Sequence, residues 1–218
     1  MGKREVIVDT CFLEKMSTDG KNPENVKTIL EELEYTPVAH PYMVEYEFSL
    51  CSYMQKMVDD GYIREIQYKE FLNDEYARLM YEQMFPIIHE DLRRALESSG
   101  GRKQIEKLQL KTADDIYNKH SQGSSIGDVH MIMMAAYMQL PIILTEDSDI
   151  EVLRDIASRR MRLGQYKLEI YDGLDLVNQI AKNPCSTISK KKMEAILNQM
   201  GERKYRATMT KMWNGEKG

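Results

Sequence analysis

The chain has little of what secreted, membrane-bound or fibrous proteins need. Its three cysteines, Cys11, Cys51 and Cys185, are odd in number, widely spaced and without a CxxC pair. They neither staple a disulfide scaffold nor ligate zinc at a familiar spacing, so a reducing, cytoplasmic setting is expected. No apolar run approaches the roughly 18–20 residues that a membrane span requires, so no membrane partner is expected. The opening MGKREVIVDT enters an apolar strand at once, with no signal-peptide core or cleavage site. Six prolines and twelve glycines in 218 residues are too few for a low-complexity chain. What remains is an ordinary globular composition, 42% hydrophobic and 30% charged. It suffices for one sizeable α/β domain with an extension, or for two small domains.

The net charge of −5 is unevenly spread. From Ala181 onward there are nine Lys/Arg against three Glu, about +6, which leaves residues 1–180 near −11. An acidic body with a basic tail suits a carboxylate metal centre beside a phosphate-gripping arm. A merely solvated C-terminus has the same composition.

Apolar patterning alternates between strand and helix. Val6–Val8 is a short β-branched run ending at Asp9, the pattern of a buried parallel strand. Asn25–Glu34 has helical spacing, and Tyr35–Ala39 reads as a second strand despite Pro37. After Pro41, the intervals between Val44, Phe48, Cys51, Met54 and Val58 predict one helix. Residues 66–97 are rich in helix formers, with a break or kink predicted near Phe85 because Pro86 follows. Residues 98–101 (SSGG) read as a turn or linker, and Thr112–Asp115 as a capping box. The segment GSSIGDVHMIMMAAYMQLPIILT, residues 123–145, reads as helix, tight turn and buried strand. A helix over Ile150–Arg160, a strand over Tyr166–Tyr171 and a helix over Asp175–Lys182 follow. In the tail, Thr187 or Ser189 caps a last amphipathic helix through Met200 that Gly201 ends. Such alternation predicts a parallel α/β sheet.

Asp9 ends the first strand, Asp147 and Asp149 follow the strand at Ile142–Leu144, and Asp128 begins the helix feeding that strand. Neighbouring strands would gather these acids at one sheet edge, where α/β folds place their sites. Crowded carboxylates repel unless a hard divalent cation neutralises them. Each acid alone has a plainer reading as a helix cap. His120 and His130 flank Asp128 in sequence but fit no zinc spacing. Trp213 among basic residues either stacks on a base or packs the tail down.

VIVDTCFL resembles the opening strand of PIN-domain ribonucleases, where an Asp followed by Thr or Ser ends that strand. SIGDVHMIMMAAYMQLPIILTEDSDI resembles the family's second signature, and YKLEIYDGLDLVNQIA its last strand and helix. The resemblance covers about residues 4–182 and implies a PIN-like three-layer α/β fold, with a central, mainly parallel sheet flanked by helices. Residues 1–182 would form this domain, 58–120 a helical insertion and 183–218 a basic helical extension. It implies an endoribonuclease hydrolysing RNA with Mg²⁺ or Mn²⁺. The metal-binding acids would be Asp9, Asp128 and Asp147, with Asp149 auxiliary and Thr145 orienting the cluster beside Thr10. The family's glutamate falls in YMVEYEF; Glu45 is the choice because it comes earlier in that helix, and Glu47 is the fallback. Cys11 departs from the Asn of many members. Implied partners are RNA and a protein such as an antitoxin, with a homo-oligomer open. A catalytically silent PIN-fold module for RNA or protein is the alternative. A haloacid dehalogenase-type phosphatase needs a second acid at position 11, where Cys11 stands.

Overall fold

A computed structural model describes residues 4–98, 105–118, 125–161 and 164–214. Strand β1 (Arg4–Val8) is followed by helices α1 (Thr10–Ser17) and α2 (Glu24–Glu32), strand β2 (Tyr35–Ala39) and helix α3 (Pro41–Tyr46). Then come α4 (Ser52–Asp59), β3 (Arg64–Glu65), α5 (Tyr68–Phe71), α6 (Glu75–Ser98), α7 (Asp115–Asn118) and α8 (Ile126–Met138). The chain closes with β4 (Ile142–Leu144), α9 (Asp149–Met161), β5 (Glu169–Tyr171), α10 (Gly173–Lys182), α11 (Lys190–Gln199) and α12 (Arg206–Met212).

The fold is α/β. Its five strands run in the order β3-β2-β1-β4-β5, and every pairing is parallel. β1 lies in the middle, with Ile7 opposite both Val38 and Ile143. That position explains its continuous apolar run, since Val6, Ile7 and Val8 are all wholly buried. α1, α2 and α10 pack together in one layer, and α6, α8 and α9 in another. From β1 the chain moves outward through β2, whereas β4 lies on the other side of β1. The direction of winding therefore reverses between β1 and β4, and a crevice opens at their carboxyl ends.

Pro37 is tolerated because β3 begins only opposite Val38, so β2 is still an edge on that side at the proline. β3 lies within the region expected to be a purely helical insertion. Two residues carry no legible alternation, and their pairing with β2 is non-local.

Two local expectations need correction. The helix expected after Pro41 is divided by a 3-10 turn at Phe48–Leu50 and by Cys51 in extended conformation. Periodicity reports burial rather than continuity, and Val44, Phe48 and Met54 are buried on both sides of the break. Helix α6 instead continues through Pro86. A proline inside a helix costs about 3 kcal/mol. Tyr81, Phe85, Ile88, Leu92 and Leu96 on the same helix are buried, at roughly 1.5–3 kcal/mol for each large side chain, and packing wins. The capping box read at Thr112–Asp115 is present at least in its returning half: the Asp115 carboxylate accepts from the Thr112 amide at 3.2 Å, and also from the Lys111 amide, just before α7. Of the residues 98–101 read as a linker, only Ser98, which ends α6, is described, and His120 also lies outside the described residues.

The tail helix packs on the body. Ser189 caps α11 by accepting from the Lys192 amide, and Met193, Ile196 and Leu197 join the common core. An additional helix, α12, follows and packs on α10. Trp213 is half-buried against the core, so packing the tail down is the role the structure gives it.

Candidate functional site

Asp9 stands at the crevice between β1 and β4. It occupies the N-cap position of α1, yet its side chain makes no cap hydrogen bond. Its Oδ2 instead accepts from the Thr145 hydroxyl at 2.6 Å and from the Cys11 thiol at 2.7 Å. The helix-cap reading of Asp9 therefore fails. The carboxyl is buried, and burial raises its pKa against those hydrogen bonds, with the charge of Asp147 adding to the rise.

Thr145 ties the two strand ends together. Its hydroxyl donates to Asp9 and accepts from the Asp147 amide at 3.0 Å. Asp147 Oδ1 in turn accepts from the Asp149 amide at 2.9 Å, so Asp147 both opens α9 and faces Asp9 electrostatically. Asp149 is the first residue of α9 and does not figure among the main charges acting on Asp9 or Glu47.

The glutamate of the cluster is Glu47, and the choice of Glu45 is corrected. Glu45 is exposed on α3. Glu47 follows the helix, where the chain turns, and its Oε2 accepts from Thr10 Oγ1 at 2.5 Å. Its pKa is pushed up to about 7, first by burial and then by the charges of Asp9, Asp128 and Glu14, against the Thr10 hydrogen bond. Gly127 permits this approach, because a Cβ there would stand 2.5 Å from Glu47 Oε1 and 2.7 Å from Met43 Sδ. Asp128 is half-buried in the first turn of α8, three residues after the N-cap Ser125, so it is not the cap either.

Two contributors were not among the site residues expected from the sequence. Cys11 stands where the resembled family often carries Asn and supplies an S–H donor to Asp9, while its sulfur accepts from the Glu146 amide at 3.1 Å. Burial and the Asp9 charge raise its pKa, so it stays a thiol at neutral pH. Glu14, exposed on α1, adds its charge to Glu47 and has its own pKa raised by burial, Asp19 and Asp9. Its spacing of four from Thr10 placed both on one helical face, but helical spacing alone does not mark a ligand.

Beside Thr145 and Asp147 lies a cleft of about 220 Å³ whose walls include Glu146, Glu151, Asp172 and Asp175. A larger one, about 310 Å³, lies among α8, α9 and the start of β5, away from these carboxylates. Among the described residues no three His, Cys, Asp or Glu side chains stand close enough to hold a single ion. The donor chemistry still fits a hard cation: Asp9, Glu47, Asp128 and Asp147 are all oxygen donors, and no Lys or Arg is a main influence on Asp9 or Glu47. His130 is no ligand in this arrangement, being wholly buried with Nδ1 bonded to Tyr81 and Nε2 to the Ile116 carbonyl. In comparison with known proteins, no family model, no curated protein and no solved structure matches this chain.

Proposed function

We propose that the chain is a metal-dependent endoribonuclease with Asp9, Glu47, Asp128 and Asp147 as its centre. The observation that carries this reading is Asp9, buried at the winding reversal against other carboxylates and not used as a cap. Burying an ionisable group without a compensating cation is unfavourable, and such placements concentrate at functional sites. A bound Mg²⁺ or Mn²⁺ would polarise a phosphoryl oxygen and lower the pKa of a water.

The chain's own groups divide the remaining work. Thr145 and Cys11 fix the Asp9 carboxylate through Oδ2, and Thr10 fixes Glu47 through Oε2. Burial and the neighbouring acids push Glu47 up to about 7 while no cation is bound, and Thr10 engages its Oε2, which leaves Oε1 to face a cation or take a proton. Asp149 is an auxiliary at most, at the start of α9. RNA as substrate rests on the sequence resemblance and on the basic tail, and a cytoplasmic setting on the cysteine pattern. A protein partner, an antitoxin or a second copy, would find apolar footing on α6, where Tyr76, Leu79 and Ile87 are exposed.

The deciding experiment is RNA cleavage with Mn²⁺, Mg²⁺ or EDTA, comparing wild type with Asp9→Asn and Asp128→Asn. Cleavage is expected only with metal, and both variants should lose it. Cleavage in EDTA, or undiminished cleavage by the variants, would sink the mechanism. A catalytically silent module for RNA or protein is the second reading, favoured by the spacing of the side chains, no three of which share an ion position among the described residues. It expects no metal-dependent cleavage from the wild type.

A further inference from the structure

We infer that the C-terminal extension is a built phosphate track of the carboxylate site, gripping single-stranded RNA through Arg203 and Lys204 and, further out, Lys191 and Lys192. The inference rests on the nuclease reading and deepens it by naming the residues that hold the substrate chain.

The turn after α11 is seated against the crevice by specific contacts. Glu202 pairs with Lys15 of α1 at 2.6 Å, and both influence the carboxyl of Glu146, the neighbour of Asp147. Met200 lies over Gly173, where a Cβ would stand 2.9 Å from its Cε and 3.1 Å from Glu146 Oε1. Glu146 Oε1 also accepts from the Gly173 amide at 2.8 Å. On its far side the turn is held by Tyr205, whose hydroxyl donates to Asn178 at 2.8 Å. Asn25 and Thr18 hold Gln199 from the body. The turn is thereby fixed where the tail meets the strand ends.

Its charges are arranged unequally. Two tail acids are spent on pairs: Glu202 with Lys15 and Glu194 with Arg206. Arg203, Lys204, Lys191 and Lys192 are exposed, and none has an ion-pair partner among the described residues. These four cations are therefore presented outward, while Glu202 is consumed in anchoring the turn to α1 and Glu194 in a pair with Arg206 inside the tail. Lys191 and Lys192 lie in the first turn of α11, and Arg203 and Lys204 come just beyond its end, so most of the helix, at ~1.5 Å per residue, separates the two pairs. The cleft on the β5 side is walled by acids and repels a polyanion, so the track gives the phosphate chain a favourable approach.

The test is equilibrium binding of a short unstructured RNA to the full chain in EDTA, read by fluorescence anisotropy over a range of salt. Arg203→Glu with Lys204→Glu, and separately Lys191→Glu with Lys192→Glu, are expected to weaken binding at least about tenfold. Each pair should flatten the log K against log salt slope by ~0.7 for every phosphate that is no longer neutralised. The matching Gln pairs are expected to weaken binding less and to keep the wild-type unfolding temperature, so they decide if a Glu pair misfolds. Lys56→Glu with Lys69→Glu, an equal charge change on exposed residues of α4 and α5, should bind as wild type. Wild-type binding by both tail pairs, or equal weakening by the Lys56/Lys69 pair, overturns the inference. Asp9→Asn separates the two claims. If it abolishes cleavage while the tail pairs bind normally, the track falls and the nuclease stands. If binding follows the track but no preparation cleaves, the nuclease falls and the track stands.

Discussion

At Asp9, burial and hydrogen bonding pull in opposite directions, burial being the larger. The Thr145 hydroxyl is one of the few groups favouring the charged form, and it also accepts from the Asp147 amide. Thr145→Val is therefore expected to weaken Mn²⁺ affinity about 10–100-fold, the usual cost of losing a partner of a metal ligand. Isothermal titration checks it, and unchanged affinity would show that Thr145 does not orient the acid. Glu45 and Glu47 give a cleaner contrast. Glu47→Gln should lose metal-dependent cleavage, whereas Glu45→Gln, on an exposed side chain, should retain it. The sequence left these two open for a physical reason. Residues two apart on a helix point to nearly opposite sides, and the choice depends on which side meets Asp9. That was decided by the break after Tyr46, which periodicity does not register.

Among the elements, α3, α6 and α8 are joined behind the site by a buried polar chain. The Tyr42 amide donates to His40 Nδ1, so a neutral His40 carries its proton on Nε2, which faces the Tyr81 hydroxyl at 3.4 Å. That hydroxyl donates to His130 Nδ1 at 2.6 Å, and His130 Nε2 donates to the Ile116 carbonyl. The two rings stack with centroids 4.5 Å apart, which suits them only while uncharged. Burial lowers both pKa values, that of His130 to about 3, and the neighbouring ring lowers His40 further. A depressed histidine contributes stability that is full above its unfolded value near 6.5 and lost as pH falls toward the folded value. Each such histidine gives a slope of ~1.4 kcal/mol per pH unit across that window. Glu47 acts in the opposite sense: its raised pKa gives stability present below about 4.5 and lost as pH rises through about 7. Glu47→Gln should accordingly steepen the rise of stability with pH between those limits, as denaturant titrations would show. Proton NMR should find both imidazoles neutral at pH 5; titration near 6.5 would contradict the buried chain. Gly127→Ala tests the packing of α8 on Glu47. The added methyl is expected to cost ~1–3 kcal/mol of stability and to weaken metal binding with it. Most elements were legible, because β1, α8, β4 and α10 each carry an apolar pattern of their own. β3 and α12 were not, being short and defined by what they pack against.

For the whole molecule, the reversal of winding between β1 and β4 matters more than any single motif, because it brings residues 9 and 145–147 to one place. Sequence order alone could not supply this, although buried apolar runs ending in acids hinted at it. The tail is likewise part of the whole: Leu197 is completely buried in the common core. Leu197→Ala is expected to lower stability by ~2–5 kcal/mol in chemical denaturation, where a merely solvated tail would show no change. The most direct test of the centre itself is a crystal of the protein soaked in Mn²⁺ and examined for anomalous density. The expected result is a peak bound by Asp9 together with one or more of Glu47, Asp128 and Asp147, absent from Asp9→Asn. Crystals without a peak there, or with one that survives Asp9→Asn, would contradict a metal centre at these four carboxylates.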